Sequence, residues 1–150
     1  MDLKENNASI GKWISILHRY AQCYISKELK EYNIGSGQYP FLAVLLREDG
    51  ISQEELSCRL HIDKGTTARA IKKLEIEEYI VRKVDEKDKR AYKIYITEKA
   101  LKVKPALFEA LKNWTDILAT GFIQKEKEEV IEILEKMASN AALYMMNEHQ

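Results

Sequence analysis

The apolar period of this chain changes directly after two closely spaced helix starts. Ser52-Gln53-Glu54-Glu55 places Ser at an N-cap position with Glu three residues on, the capping-box spacing that opens a helix. Leu56 and Leu60 are the apolar positions of that helix, which is short and ends near His61. Asp63 caps the next helix, whose inner face is Thr67, Ile71 and Leu74 with Ala70 beside them. A short helix, a turn of about three residues and a longer helix make a helix-turn-helix outline. The period then falls to two. Tyr79-Ile80-Val81-Arg82-Lys83-Val84 is β-prone, Asp85-Glu86-Lys87-Asp88-Lys89-Arg90 is charged, and Ala91-Tyr92-Lys93-Ile94-Tyr95-Ile96 alternates. This predicts a hairpin with a charged tip, a wing.

Helices flank this block on both sides. From Ser9 to about Glu31 apolar residues fall at Ile10, Ile14, Leu17, Ala21, Tyr24 or Ile25, and Leu29, until Asn33, Gly35, Ser36 and Gly37 break the pattern. A second helix is expected from about Gln38 to Glu48, ended by Asp49-Gly50. Thr97 caps a fifth helix with the stripe Ala100, Val103, Leu107, Leu111, Trp114 and Leu118, kinked at Pro105. The last begins near Gln124, with Val130, Ile133, Leu134, Met137, Ala141 and Tyr144 apolar. The expected fold class is therefore mainly α with a small β-hairpin wing: a winged helix-turn-helix core plus N- and C-terminal helices.

The net charge is zero, from 24 basic and 24 acidic residues, which argues against a general polyanion binder. The distribution says more. From Arg59 to Lys93 there are 11 Lys/Arg against 7 Asp/Glu, whereas from Gly121 to Gln150 there are 3 Lys against 6 Glu. A local excess of 11 − 7 = 4 positive charges is the footprint of a domain that touches nucleic acid with one face. The two cysteines, Cys23 and Cys58, have no metal-binding or redox-motif spacing, and the polar N-terminus lacks an apolar leader. No apolar run approaches the roughly 18 residues of a membrane span. The chain is expected to be cytoplasmic, with no cofactor, no metal and no membrane contact. His18, His61 and His149 are scattered, and no phosphate-binding, metalloprotease or nucleophile motif is present, so no catalytic residue is expected and the chain is not read as an enzyme.

The fourth helix has chemistry suited to a DNA major groove. Gly65, Thr66, Arg69 and Lys73 lie opposite Ile71 and Leu74. Thr66 can hydrogen-bond a base edge or phosphate, and Arg69 can make a bidentate contact to guanine. Lys72 and Lys73 suit phosphates, which position a protein without reading sequence.

In their order and spacing, SQEELSCRL (52–60), DKGTTARAIKKL (63–74), the wing DEKDKR (85–90) and the strand ending at Ile96-Thr97 resemble the MarR family of winged-helix transcription regulators. The resemblance runs over nearly the whole chain. It implies one domain, with a DNA-binding lobe at 34–97 and dimerisation helices at 8–32 and 98–148. It implies a homodimer presenting two recognition helices to a palindromic operator, acting as a repressor released by a small phenolic or lipophilic effector. The family's recognition-helix residues map onto Gly65, Thr66, Thr67 and Arg69, and its wing Arg onto Arg90, which would enter the minor groove oriented by Asp88. Lys87 and Lys89 share that charged tip. Two positions depart from the family. Glu78 stands where Gly usually closes the recognition helix in a left-handed turn, so either the strain is borne or the helix ends differently. Gly65 stands where Ser is frequent. The apolar stripes at both chain ends independently favour pairing with a second copy.

An effector pocket would draw on Trp13, Leu17, His18, Tyr20, Tyr39, Phe41 and Trp114, each of which also reads as ordinary core. Cys23, with Arg19 and Lys27 one turn away on either side, is a redox candidate, and Cys58 beside Leu56 and Leu60 reads as packing. The remaining alternative is an adaptor whose winged helix binds another protein, which the basic residues Arg69, Lys72, Lys73 and Arg90 disfavour.

Overall fold

The computed structural model describes residues 9–148. Residue 8, the expected start of the first dimerisation segment, and His149 lie outside the described residues. The chain divides into two compact units between Trp114 and Thr115.

In the first unit, α1 (Ile10–Glu28) is capped by Ser9, whose hydroxyl accepts from the Lys12 amide. A single 3-10 turn (Lys30–Tyr32) follows, then α2 (Tyr39–Arg47), β1 (Ile51–Ser52), α3 (Gln53–Leu60), α4 (Lys64–Ile76), β2 (Ile80–Val84), β3 (Tyr92–Ile96) and α5 (Glu98–Leu118), which is helical through Pro105 and whose last turn falls in the second unit. The expected elements are all found. The sequence pattern missed β1, which is too short to show a period and whose Ser52 doubles as the cap of α3. β1 pairs antiparallel with β3 at Ile51↔Ile94, and β2 pairs with β3 from Ile80↔Ile96 to Val84↔Tyr92, giving the order β1-β3-β2.

The core forms where these patterns converge. Leu29 of the α1–α2 connection, Phe41, Leu42 and Leu45 of α2, Leu56 of α3, Ile71 and Leu74 of α4, Ile80 and Ile94 of the sheet, and Leu107 of α5 are all buried. Only the C-terminal part of α1 joins them, through Ile25. Ile10, Trp13, Ile14, Leu17 and Tyr20 remain exposed.

Three helix-like turns close on residues other than glycine in the left-handed region: Asn33 (φ 56°), His61 (φ 53°) and Glu78 (φ 62°). At the end of α4 the Tyr79 amide donates to the Leu74 carbonyl at 2.9 Å and the Glu78 amide to the Glu75 carbonyl at 3.0 Å, a Schellman closure with Glu78 at the strained position. The departure from Gly therefore leaves the turn intact and the strain is borne. Neighbouring bonds hold it. The Thr97 hydroxyl donates to the Glu78 carbonyl at 2.7 Å, and the Lys99 ammonium to the Glu77 carbonyl at 2.5 Å. These bonds join the end of α4 to the exit of the wing.

In the second unit, Gly121 (φ 84°) turns the chain and Glu126 accepts from the Ile123 amide at the start of α6 (Gln124–Glu148). Among the described residues α6 buries none. Val130, Ile133, Leu134, Leu143, Tyr144, Met145 and Met146 are all exposed. No described helix is long and apolar enough to cross a membrane.

A non-glycine residue in the left-handed region costs about 1 kcal/mol. Glu78→Gly is expected to raise unfolding stability by roughly 0.5–1 kcal/mol, read as a higher urea midpoint at unchanged slope. A lower midpoint would show that Glu78 stabilises the turn by something other than its backbone.

Candidate nucleic-acid interface

The orientation of α4 follows from what it buries. Thr67, Ala70, Ile71 and Leu74 face the core, which leaves Gly65, Arg69, Lys72 and Lys73 in solvent with Thr66 at the margin. Thr67 is fully buried and its hydroxyl donates to the Asp63 carbonyl at 2.8 Å. It cannot meet a base or a phosphate, so the recognition role carried over to Thr67 by resemblance is corrected: its inward place is set by sharing a face with Ile71 and Leu74.

Asp63 caps α4 with both carboxylate oxygens. Oδ1 accepts the Thr66 amide at 2.8 Å and Oδ2 accepts the Thr66 hydroxyl at 2.7 Å. Thr66 Oγ1 in turn accepts from Arg69 Nη2 at 3.1 Å. The Thr66 hydroxyl and amide hold the Asp63 carboxyl below the usual carboxylate range, and the charge of Arg69 adds to the effect.

At α3, Ser52 Oγ accepts the Glu55 amide at 3.1 Å, the expected half of a capping box. The Glu55 carboxylate is turned instead to Arg59, which also meets Glu48 and so ties α3 to the end of α2. Arg82 meets Glu75 at 3.2 Å. Two cations of the basic block are thus part of the scaffold. The sequence reading passed over Lys64, exposed in the first turn of α4, where it lines a polar cleft with Gln53, Glu54, Ser57 and Thr67. Its signal was its place directly after the Asp63 cap.

The wing tip is shaped by its aspartates. Asp85 Oδ1 accepts the Lys87 amide at 2.9 Å, and Asp88 Oδ1 accepts the Arg90 amide at 3.0 Å. Asp88 therefore acts on Arg90 through its backbone, as in an Asx turn. Lys87, Lys89 and Arg90 are all exposed.

The residues suggested for an effector are not gathered in one place. Phe41 is in the core, Tyr39 is half-buried, and Trp114 stacks on Tyr24 with ring centroids 5.1 Å apart. Trp13, Leu17, His18 and Tyr20 are exposed on α1. Cys23 is exposed, but Arg19 donates to Ser15 at 2.6 Å, one turn further from the thiol. Cys58 is exposed too, which corrects its reading as packing: Leu56 and Leu60 share the inner face of α3 and Cys58, two residues from each, lies opposite.

The MarR family model matches residues 34–92, the span from within the α1–α2 connection to the start of β3. The Bacillus subtilis (strain 168) regulator YybA, described as an uncharacterized HTH-type transcriptional regulator, is 34% identical over 127 residues, 85% of each chain. This chain belongs to the MarR family. As a member it is a DNA-binding transcription regulator of winged-helix fold. A MarR regulator from Methanosarcina mazei Go1 is 50% identical with a TM-score of 0.85, over 90% of this chain and 97% of that one. A MarR-family regulator from Listeria monocytogenes, solved complexed with 26mer DNA, is 29% identical with a TM-score of 0.85, over 89% of each chain. These relatives are transcription regulators, a class apart from enzymes.

Because the native Asp63 carboxyl ionises more readily than an unfolded one, its contribution to stability is present above the ordinary carboxylate range. It is lost as pH falls through the lowered native value. Thermal midpoints of the wild type and Asp63→Ala, followed from about pH 7 to about pH 2, are expected to differ most near neutrality and converge in acid. A gap independent of pH would show that the cap does not depend on the charge of Asp63.

Proposed function

We propose that two copies of this MarR regulator bind a palindromic operator, each with α4 in a major groove and Arg90 of the wing in the flanking minor groove. The observation that carries this reading is the solvent face of α4. Burial of Thr67, Ile71 and Leu74 turns Arg69, Lys72 and Lys73 outward together, with Thr66 at their edge and exposed cations on the wing tip. Arg69 is the base reader, suited to guanine O6 and N7. Lys72, Lys73, Lys87 and Lys89 are phosphate contacts, with Gly65 giving the duplex close approach to the start of the helix. Binding across a promoter would block transcription by occupancy, which makes the regulator a repressor.

The second copy is supported by the exposed apolar residues of α1 and α6. Ile10, Ile14 and Leu17 on α1, and Ile133, Leu134, Tyr144 and Met145 on α6, are each about half exposed or more. Complete burial of such a side chain contributes about 1.5–3 kcal/mol, so leaving them all in water forfeits more than most domains have in reserve. A two-fold dimer, in which each copy offers the same helices, covers such faces.

Duplexes enriched by the purified protein from a randomised pool provide the test. Arg69→Ala is expected to weaken binding to the enriched duplex by about 1–3 kcal/mol and to relax preference at one position of each half-site. Lys72→Ala should leave preference intact and flatten the dependence of log affinity on log salt by about two per dimer. Arg90→Ala should also weaken binding, and an unchanged affinity would remove the wing from the interface. Unaltered selectivity in Arg69→Ala would remove the base-reading role.

A chain ending at Gly121 is expected to sediment as a monomer and to lose operator binding, because α6 is gone. A stable dimer of that shortened chain would place the interface elsewhere.

A further inference from the structure

We infer that Asp63 and Thr66 form a hydrogen-bonded track that sets the Arg69 guanidinium, so that Thr66 is a positioning residue acting through Arg69. This rests on the proposed DNA reading and assigns the work of Thr66 within it, where residue type alone suggested direct contact with a base or phosphate.

The distribution of protons decides the direction of the track. A threonine hydroxyl has one proton to donate and two lone pairs. The ionised Asp63 carboxylate has no proton, so across the 2.7 Å contact the Thr66 hydroxyl is the donor. The second carboxylate oxygen takes the Thr66 amide at 2.8 Å, so Asp63 grips Thr66 at two points. A lone pair of Thr66 Oγ1 is thereby left facing along the helix, and Arg69 Nη2 occupies it at 3.1 Å. For Thr66 to donate to a base it must leave a charge-assisted bond to a carboxylate. Arg69 faces no such conflict. The guanidinium has five N–H donors, of which Thr66 takes one, and the rest remain for a planar bidentate contact with guanine.

Gly65 keeps the track simple. A Cβ at this position would lie 3.5 Å from Arg69 Nη1 and 3.4 Å from Asp63 Oδ1, in ordinary contact with both. A serine there would bring a second hydroxyl within reach of the same two partners. With Gly65, only the Thr66 hydroxyl bridges them. Arginine has many rotamers to lose on binding, and a guanidinium already held near its working place loses fewer.

The test uses the full chain and the best duplex that the wild type enriches from a randomised pool, read by fluorescence anisotropy. Thr66→Val keeps the shape and the amide bond to Asp63 but has no hydroxyl. It is expected to weaken binding to that duplex roughly tenfold, the scale of a hydrogen bond to a charged group. Thr66→Ser should restore affinity to within about threefold of wild type. The deciding measurement is the double variant Thr66→Val/Arg69→Ala, which should bind no more weakly than Arg69→Ala alone. Additive losses would show Thr66 touching DNA independently, and a Thr66→Val protein with wild-type affinity would remove the track; either overturns the inference. If no duplex is enriched at all, the DNA reading beneath the inference fails.

Discussion

Burial of Thr67, Ala70, Ile71 and Leu74 fixes the rotation of α4 about its own axis, and much of the site's geometry follows from that rotation. A helix turns about 100° per residue, so choosing which four side chains enter the core also chooses which enter solvent. Gly65, Arg69, Lys72 and Lys73 are displayed together because the other face has no freedom to turn. The Asp63 cap then adds a local constraint, engaging the donors at the first turn of α4 and, through Thr66, the guanidinium of Arg69.

Around the apolar core, polar contacts join the ends of neighbouring elements. Arg59 bridges Glu48 at the end of α2 and Glu55 on α3. Both partners and Arg59 itself are well exposed, so the bridge is a matter of register more than of stability. At the other end of the lobe Thr97 and Lys99 take carbonyls from the α4 closure, so a strained Glu78 is tolerated where glycine would be easier. The wing is anchored at its base by buried Ile80 and Ile94 and shaped at its tip by the Asp85 and Asp88 turns. The ribbon thus has a buried base and a charged, exposed tip.

Much of the lobe was legible residue by residue. Ser52 and Asp63 announced two helix starts because a side-chain acceptor before an apolar run has few other uses. The alternation from Ala91 to Ile96 marked a strand for the same kind of reason: a period of two suits a half-buried sheet. Other points were hidden. Cys58 looked like packing by its nearness to Leu56 and Leu60, yet it faces solvent because two residues along a helix is more than half a turn. The capping-box spelling did not show that Glu55 would prefer Arg59 to the backbone of Ser52. Trp13, Phe41 and Trp114 resembled a cluster by residue type, but one is exposed, one is in the core and one is stacked on Tyr24.

By itself the sequence determined the order of elements, the amphipathic faces of the helices, the caps and the charged tip of the wing. Each depends on neighbours within a few residues, and short-range sterics and periodicity decide such things. Only the tertiary structure decided the partners: that the Thr66 hydroxyl belongs to Asp63, that Arg59 reaches Glu48 at the end of α2, and that Glu78 is held left-handed by bonds from Thr97 and Lys99 to the carbonyls around it. Burial depends on how an element is turned against the rest of the chain. A hydroxyl's one proton goes to whichever acceptor the fold brings within reach, and neither quantity is carried by the order of residues alone.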